Sequence, residues 1–146
     1  MKRRFALLTA SLIAAAALTG CAGPAPIDYA AEKPVLDLKT YFDGVLDERF
    51  TYSDGTTERR VWKLIDEGGG RWSGRADDVL GVAQGVAAGN ALNWRYTLKL
   101  PVDGKVYEVQ FDDWMYLMDD RVMLNKAAMS KFGIHLGEVT LSFYKK

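Results

Sequence analysis

The chain has 146 residues, 19 basic and 19 acidic side chains, one histidine and one cysteine, with aromatic residues at 12%. Balanced charge, with its one basic cluster confined to the first four residues, excludes the electrostatic footprint of a nucleic-acid-binding domain. One histidine and one cysteine exclude a zinc site of the usual Cys/His composition and any internal disulfide.

The first element in chain order is a targeting segment. Lys2, Arg3 and Arg4 precede an apolar run from Phe5 to Leu18, which ends in Leu18-Thr19-Gly20-Cys21. A basic start, a short apolar stretch and small residues before a cleavage point define a secretory signal, and the run is too short for a comfortable transmembrane helix. Its end resembles the bacterial lipobox, in which the cysteine thiol is acylated before cleavage. Cys21 is then the lipidation site and the first residue of the mature protein. Several acyl chains on one residue give stable membrane attachment where a single chain holds only marginally. Ala22 stands where an aspartate would signal retention in the inner membrane, so the expected location is the outer membrane, on its periplasmic face. The competing reading is an ordinary secreted protein with a cysteine at that place.

Removing residues 1–20 leaves 126 residues with 16 basic and 19 acidic side chains. Anionic headgroups gain nothing from that balance, so membrane contact rests on the anchor. The expected organisation is a signal over 1–20, an acylated Cys21 with an Ala/Pro-rich tether over 21–34, and one domain over 35–146, long enough to bury its own core.

Within the domain, period-two segments alternate with turn chemistry, and only one weak helical stretch interrupts them. Ser53-Asp54-Gly55-Thr56, Glu67-Gly68-Gly69-Gly70 and Val102-Asp103-Gly104-Lys105 read as hairpin turns, because Asp-Gly and Gly-Gly supply positive φ. The class is all-β: an antiparallel sheet, sandwich or barrel of seven or eight strands. The run Gly81 to Asn90, with glycines at 81, 85 and 89, reads as a strongly bent strand in preference to a helix.

The Asp103-Gly104 turn fixes a register. It opposes Leu100 to Tyr107, Leu98 to Val109, Tyr96 to Phe111 and Trp94 to Asp113 on an apolar face. The other face opposes Lys99 to Glu108 and Arg95 to Asp112, two opposite-charge pairs. The inward residues are Trp94, Tyr96, Leu98, Val109, Phe111, Met115 and Leu117, with Trp114 and Tyr116 on the opposite face. A second two-residue turn at Asp119-Asp120 would place Lys126 across from Asp113, Met115 across from Leu124 and Leu117 across from Val122.

Asp113 is the polar residue on the apolar stripe, and an inward carboxylate must be paired or protonated. The structural reading satisfies it with the Trp94 indole and the Lys126 ammonium. The functional reading makes it the polar determinant of a ligand cavity formed with Trp94, Tyr96, Phe111, Met115 and Lys126. His135 alone supplies no metal site, and Asp77-Asp78 matches no calcium-loop spacing. No phosphate loop, nucleophile elbow or Cys-His pair occurs, so no catalytic residue, cofactor or metal is expected.

Several long stretches carry a family resemblance. "VLDLKTYFDG" at Val35–Gly44, "YSDGTTERRVW" at Tyr52–Trp62, "GNALNWRYTLKLPVDG" at Gly89–Gly104, "DDWMYLMDDRVMLN" at Asp112–Asn125 and "MSKFGIHLGEVTLSF" at Met129–Phe143 resemble proteobacterial lipoproteins that share a domain of unknown function, number 3833. The resemblance implies a lipocalin-like, calycin-type antiparallel barrel on a lipid anchor, with no activity to carry over. Relative to that family a hairpin is missing between the Tyr41-Phe42-Asp43-Gly44 segment and Leu46-Asp47-Glu48, so the barrel is expected to be incomplete, with closure in doubt near Glu48–Ser53. Three functions follow in order: non-enzymatic binding of a lipid or other apolar molecule, docking of a periplasmic protein through an exposed edge or the Trp114/Tyr116 patch, and lipid modification using Asp113.

Overall fold

The structure is a computed structural model and describes residues 23–42, the backbone of 45–51, residue 55, and 57–145. The signal segment, Cys21, and most of the first hairpin turn lie outside the described residues. Eight antiparallel strands run β1 (Val45–Thr51), β2 (Thr57–Gly68), β3 (Arg71–Arg75), β4 (Ala83–Ala88), β5 (Ala91–Val102), β6 (Lys105–Leu117), β7 (Val122–Lys131) and β8 (Ile134–Tyr144). Each pairs with its chain neighbours, giving one meander in sequence order. No ladder among the described residues joins β8 back to β1, and the sheet curls into a half-barrel, consistent with the incomplete barrel expected above.

The β5–β6 hairpin has the register expected from its turn, from Val102 opposite Lys105 to Trp94 opposite Asp113. Asp103 and Gly104 have φ of 49° and 73°, the left-handed pair that a two-residue turn of this twist requires. On its outer face Arg95 Nε lies 3.1 Å from Asp112 Oδ2. The glycine-bearing run also forms a strand, β4, and not a helix.

The β6–β7 connection differs from expectation by one residue. Asp113 opposes Ala127, Met115 opposes Asn125, and Leu117 opposes Met123. A two-residue turn at Asp119-Asp120 would need positive φ at both positions, and neither aspartate has it. The chain instead closes a longer loop in which Asp119 Oδ1 accepts the N–H groups of Arg121 and Val122, each at 2.8 Å. The Met118 N–H then donates to the Val122 carbonyl at 2.8 Å. Because side chains alternate along a strand, a slip of one residue exchanges the faces of β7. Met123, Asn125, Ala127 and Met129 therefore turn inward. Lys126 lies on the other face, 3.0 Å from Glu138 of β8, and is not the partner of Asp113.

The core fills one side of the concave face with Trp62, Trp72, Leu92, Trp94, Met115, Leu117 and Met123. Over it sits α1 (Leu38–Phe42), which buries Leu38 to 1% exposure. Asp37 starts this single helical turn, its carboxylate accepting the Lys39 and Thr40 amides and the Thr40 hydroxyl. Those bonds, the hydroxyl's first, hold the Asp37 carboxyl below its ordinary range. The far end is tied down where Tyr41 donates to the Arg121 carbonyl at 3.0 Å and Lys145 Nζ to the Thr40 carbonyl at 2.9 Å.

Within the segment read as an Ala/Pro tether, the part around Tyr29 packs on the sheet. A 3-10 turn, Pro26–Tyr29, lies on the outer face, where the Tyr29 ring packs 5.9 Å from Trp114 and 5.2 Å from Tyr116 between centroids. The two tyrosine hydroxyls meet at 3.2 Å, and the Leu36 N–H donates to the Gly89 carbonyl at 2.7 Å. Burial, then the hydrogen bond shared with Tyr29, pushes the Tyr116 phenol upward. Three aromatic rings removing each other from water account for this docking, which period-two reading of an Ala/Pro stretch does not reveal.

Candidate functional site

Where α1 does not cover it, the concave face holds a cavity of about 250 Å3. β5 contributes Tyr96, Leu98 and Leu100, and β6 contributes Phe111, Asp113 and Met115. Asn125, Ala127 and Met129 come from β7, while Val139, Leu141 and Phe143 come from the edge strand β8. These are the alternate residues of adjacent strands, brought to one face by the two-residue period. Glu58 and Arg60 of β2 close the opposite side.

The aromatic wall is ordered by contact geometry. Tyr96 and Phe111, directly opposed on β5 and β6, stack with centroids 5.1 Å apart and planes 9° from parallel. Trp62 meets Tyr96 edge-on at 5.1 Å. The Tyr96 hydroxyl donates to Asp113 Oδ2 at 3.2 Å, so the buried carboxylate, 5% exposed, is held by the next strand. Arg60 pairs with Asp78, with Nη2 2.7 Å from Oδ2, tying the β3–β4 connection to β2.

Of the residues expected to form a ligand site, Tyr96, Phe111, Asp113 and Met115 do share this cavity. Trp94 does not. It lies under α1, edge-on to Trp62 at 5.6 Å, and rests on Gly74 and Gly85, where the absence of side chains makes room for the indole. The space left around it and Leu38 is only about 20 Å3, so Trp94 is core. Lys126 is absent from the cavity because of the β7 slip described above. The same slip explains why Asn125 was missed, although it lines the cavity and is only 2% exposed. The signal that would have found it is Asp119, a residue that caps following amides and so favours a longer loop.

A second concavity, of about 850 Å3, lies across the outer side of β3–β6, with Asn93, Arg95, Gln110 and Asp112 among its residues. There Asn93 Nδ2 donates to Asp112 Oδ1. Among the described residues no three His, Cys, Asp or Glu side chains converge as metal ligands. His135 is exposed on β8, and Asp78 is engaged by Arg60.

An antiparallel meander curled into an open half-barrel, with an apolar cavity on its concave face, defines an all-β protein consistent with an incomplete lipocalin-like barrel. Residues 43–145 match the family described as Protein of unknown function (DUF3833), and the chain belongs to that family. No curated protein and no solved structure matches it.

Proposed function

We propose that the protein is a non-enzymatic, lipid-anchored binding protein of the outer membrane that holds a lipid or other apolar molecule in its half-barrel. The observation that carries this reading is the cavity on the concave face, whose walls are aliphatic, aromatic and thioether side chains with few polar groups. The Leu-Thr-Gly-Cys sequence supports acylation at Cys21. With Pro26 already docked on the sheet, the chain from Cys21 reaches ~18 Å at most when fully extended, which would hold the domain at the bilayer surface.

Native mass spectrometry of the purified domain, followed by lipid extraction, tests the binding. The expected result is a co-purifying acyl species at fixed stoichiometry; an empty monomer that takes up no added lipid would overturn it. The anchor has its own test, since Cys21→Ser is expected to release the protein from the membrane fraction and retention there would refute acylation.

Protein docking is the second reading, and the specific observation for it is the open edge at β8, where Ile134 and Leu136 are exposed. The Trp114/Tyr116 patch supports it less, because Tyr29 covers it. Lipid modification through Asp113 ranks third: the reading needs a nucleophile and base in proximity, and the sequence offers no such pair. Asp113→Asn should abolish any turnover under that reading and leave ligand uptake measurable under the first.

A further inference from the structure

We infer, resting on the reading that the concave cavity binds an acyl ligand, that its preferred occupant is a neutral single-chain lipid ending in a hydroxyl or amide, with that end seated at Asn125, and not a fatty-acid anion.

The first observation is the state of Asn125. Neither its amide nitrogen nor its amide oxygen has a hydrogen-bond partner among the described residues, and both atoms are buried. Its cross-strand neighbours are Met115 on β6 and Leu141 on β8, neither of which offers a side-chain hydrogen bond to an amide of this kind. Buried amides are almost always paired, so an unpaired one beside a cavity points to a group brought in from outside. A carboxamide presents donors and an acceptor together, and its complement is a group that does the same: a hydroxyl or another amide. Reaching it needs a small movement in the wall, and the flexible thioethers of Met115 and Met129 allow one.

The second observation is charge. Among the described residues, the charged side chains of the lining are Glu58, Arg60 and Asp113. Arg60, the cation among them, is already bound to Asp78. A ligand carboxylate would have to share that guanidinium while lying near the Asp113 carboxylate, with little water to screen the repulsion. A neutral polar end avoids this.

The third is size. At about 250 Å3 the space falls below the ~300–1,000 Å3 of sites that enclose drug-sized ligands. It suits a single acyl chain, or part of one, better than a two-tailed phospholipid.

The test uses the neutral dye N-phenylnaphthylamine, displaced by decanol or by decanoate at neutral pH, from the wild type and from Asn125→Leu. Decanol is expected to compete at a concentration at least about tenfold below that of decanoate. In Asn125→Leu the decanol affinity should fall by about tenfold while dye affinity stays within about twofold, because only the hydroxyl loses its partner. Unchanged decanol binding in the variant would overturn the role of Asn125. Decanoate competing as well as decanol would overturn the preference for a neutral end. In both cases dye binding would persist, so the binding reading would survive; a wild type that takes up neither dye nor alcohol would remove that reading and this inference with it. Asn125→Ala, expected to show the same selective loss, serves if the leucine variant does not fold.

Discussion

Single residues decide how the concave face is divided. Trp94 turns its indole onto two positions with no side chain, Gly74 and Gly85, and a Cβ at Gly74 would come within 2.7 Å of the ring. At Gly85 the added carbon would lie closer still to the ring, which is rigid, buried and backed by Trp62. Gly85→Ala should therefore destabilise the fold by about 1–3 kcal/mol through overpacking, read as a lower urea midpoint with altered tryptophan fluorescence. A variant of wild-type stability would mean that Trp94 can move aside. The inward position of Asp113 was legible because a turn, an apolar stripe and two charge pairs agreed on one register. Its partner was not: the sequence offered the Trp94 indole and Lys126 Nζ, whereas the Tyr96 hydroxyl donates to Asp113 and Lys126 lies on the other face, beside Glu138.

At the scale of elements, local turn chemistry governed what could be read. The left-handed φ values of Asp103 and Gly104 match a residue pair made for them, and twelve cross-strand partners follow from that turn. Asp119-Asp120 lacks a glycine, and its carboxylate builds the loop itself. Backbone N–H donation from Arg121, then from Val122, holds the Asp119 carboxyl below its ordinary range. A group depressed in the folded state stabilises above its unfolded pKa, and that contribution is lost as pH falls through the folded value. Asp119→Ala should accordingly be less stable than the wild type at neutral pH, with the difference shrinking once pH drops below the carboxylate range. A thermal-melting difference independent of pH would show that the carboxylate does not hold this loop. The N-terminal segment is a comparable case on the outer face. Gly89, at φ 54°, lies so close to the Tyr29 carbonyl that an added Cβ would collide with it. Gly89→Ala should undock the segment and raise hydrogen exchange at the Leu36 amide, whose bond to the Gly89 carbonyl it disturbs; unchanged protection there would refute the docking.

For the whole molecule, the open sheet leaves the edge strand β8 beside the cavity. The edge strand β8 contributes Val139, Leu141 and Phe143 to the cavity, so a ligand seated there would bind the edge to the centre of the sheet. An acyl ligand that binds only the folded protein adds about 2.7 kcal/mol of stability at a hundredfold excess over its Kd. The expected outcome is a concentration-dependent rise in melting temperature with decanol, and the absence of any rise at saturating alcohol would exclude binding to the native state.

By itself the sequence determined the all-β class, the Asp103-Gly104 turn and the register of the β5–β6 hairpin, because each depends on residues close in the chain. Only the tertiary structure decided that Trp94 is core while Tyr96 faces space, that Lys126 points away and Asn125 points in, and that Tyr29 covers Trp114 and Tyr116. The physical reason is that strand alternation assigns a face but not what lies over it. Whether a side chain meets another element, a cavity or water depends on how distant segments cover the sheet, and a one-residue change in a loop reverses the assignment for a whole strand.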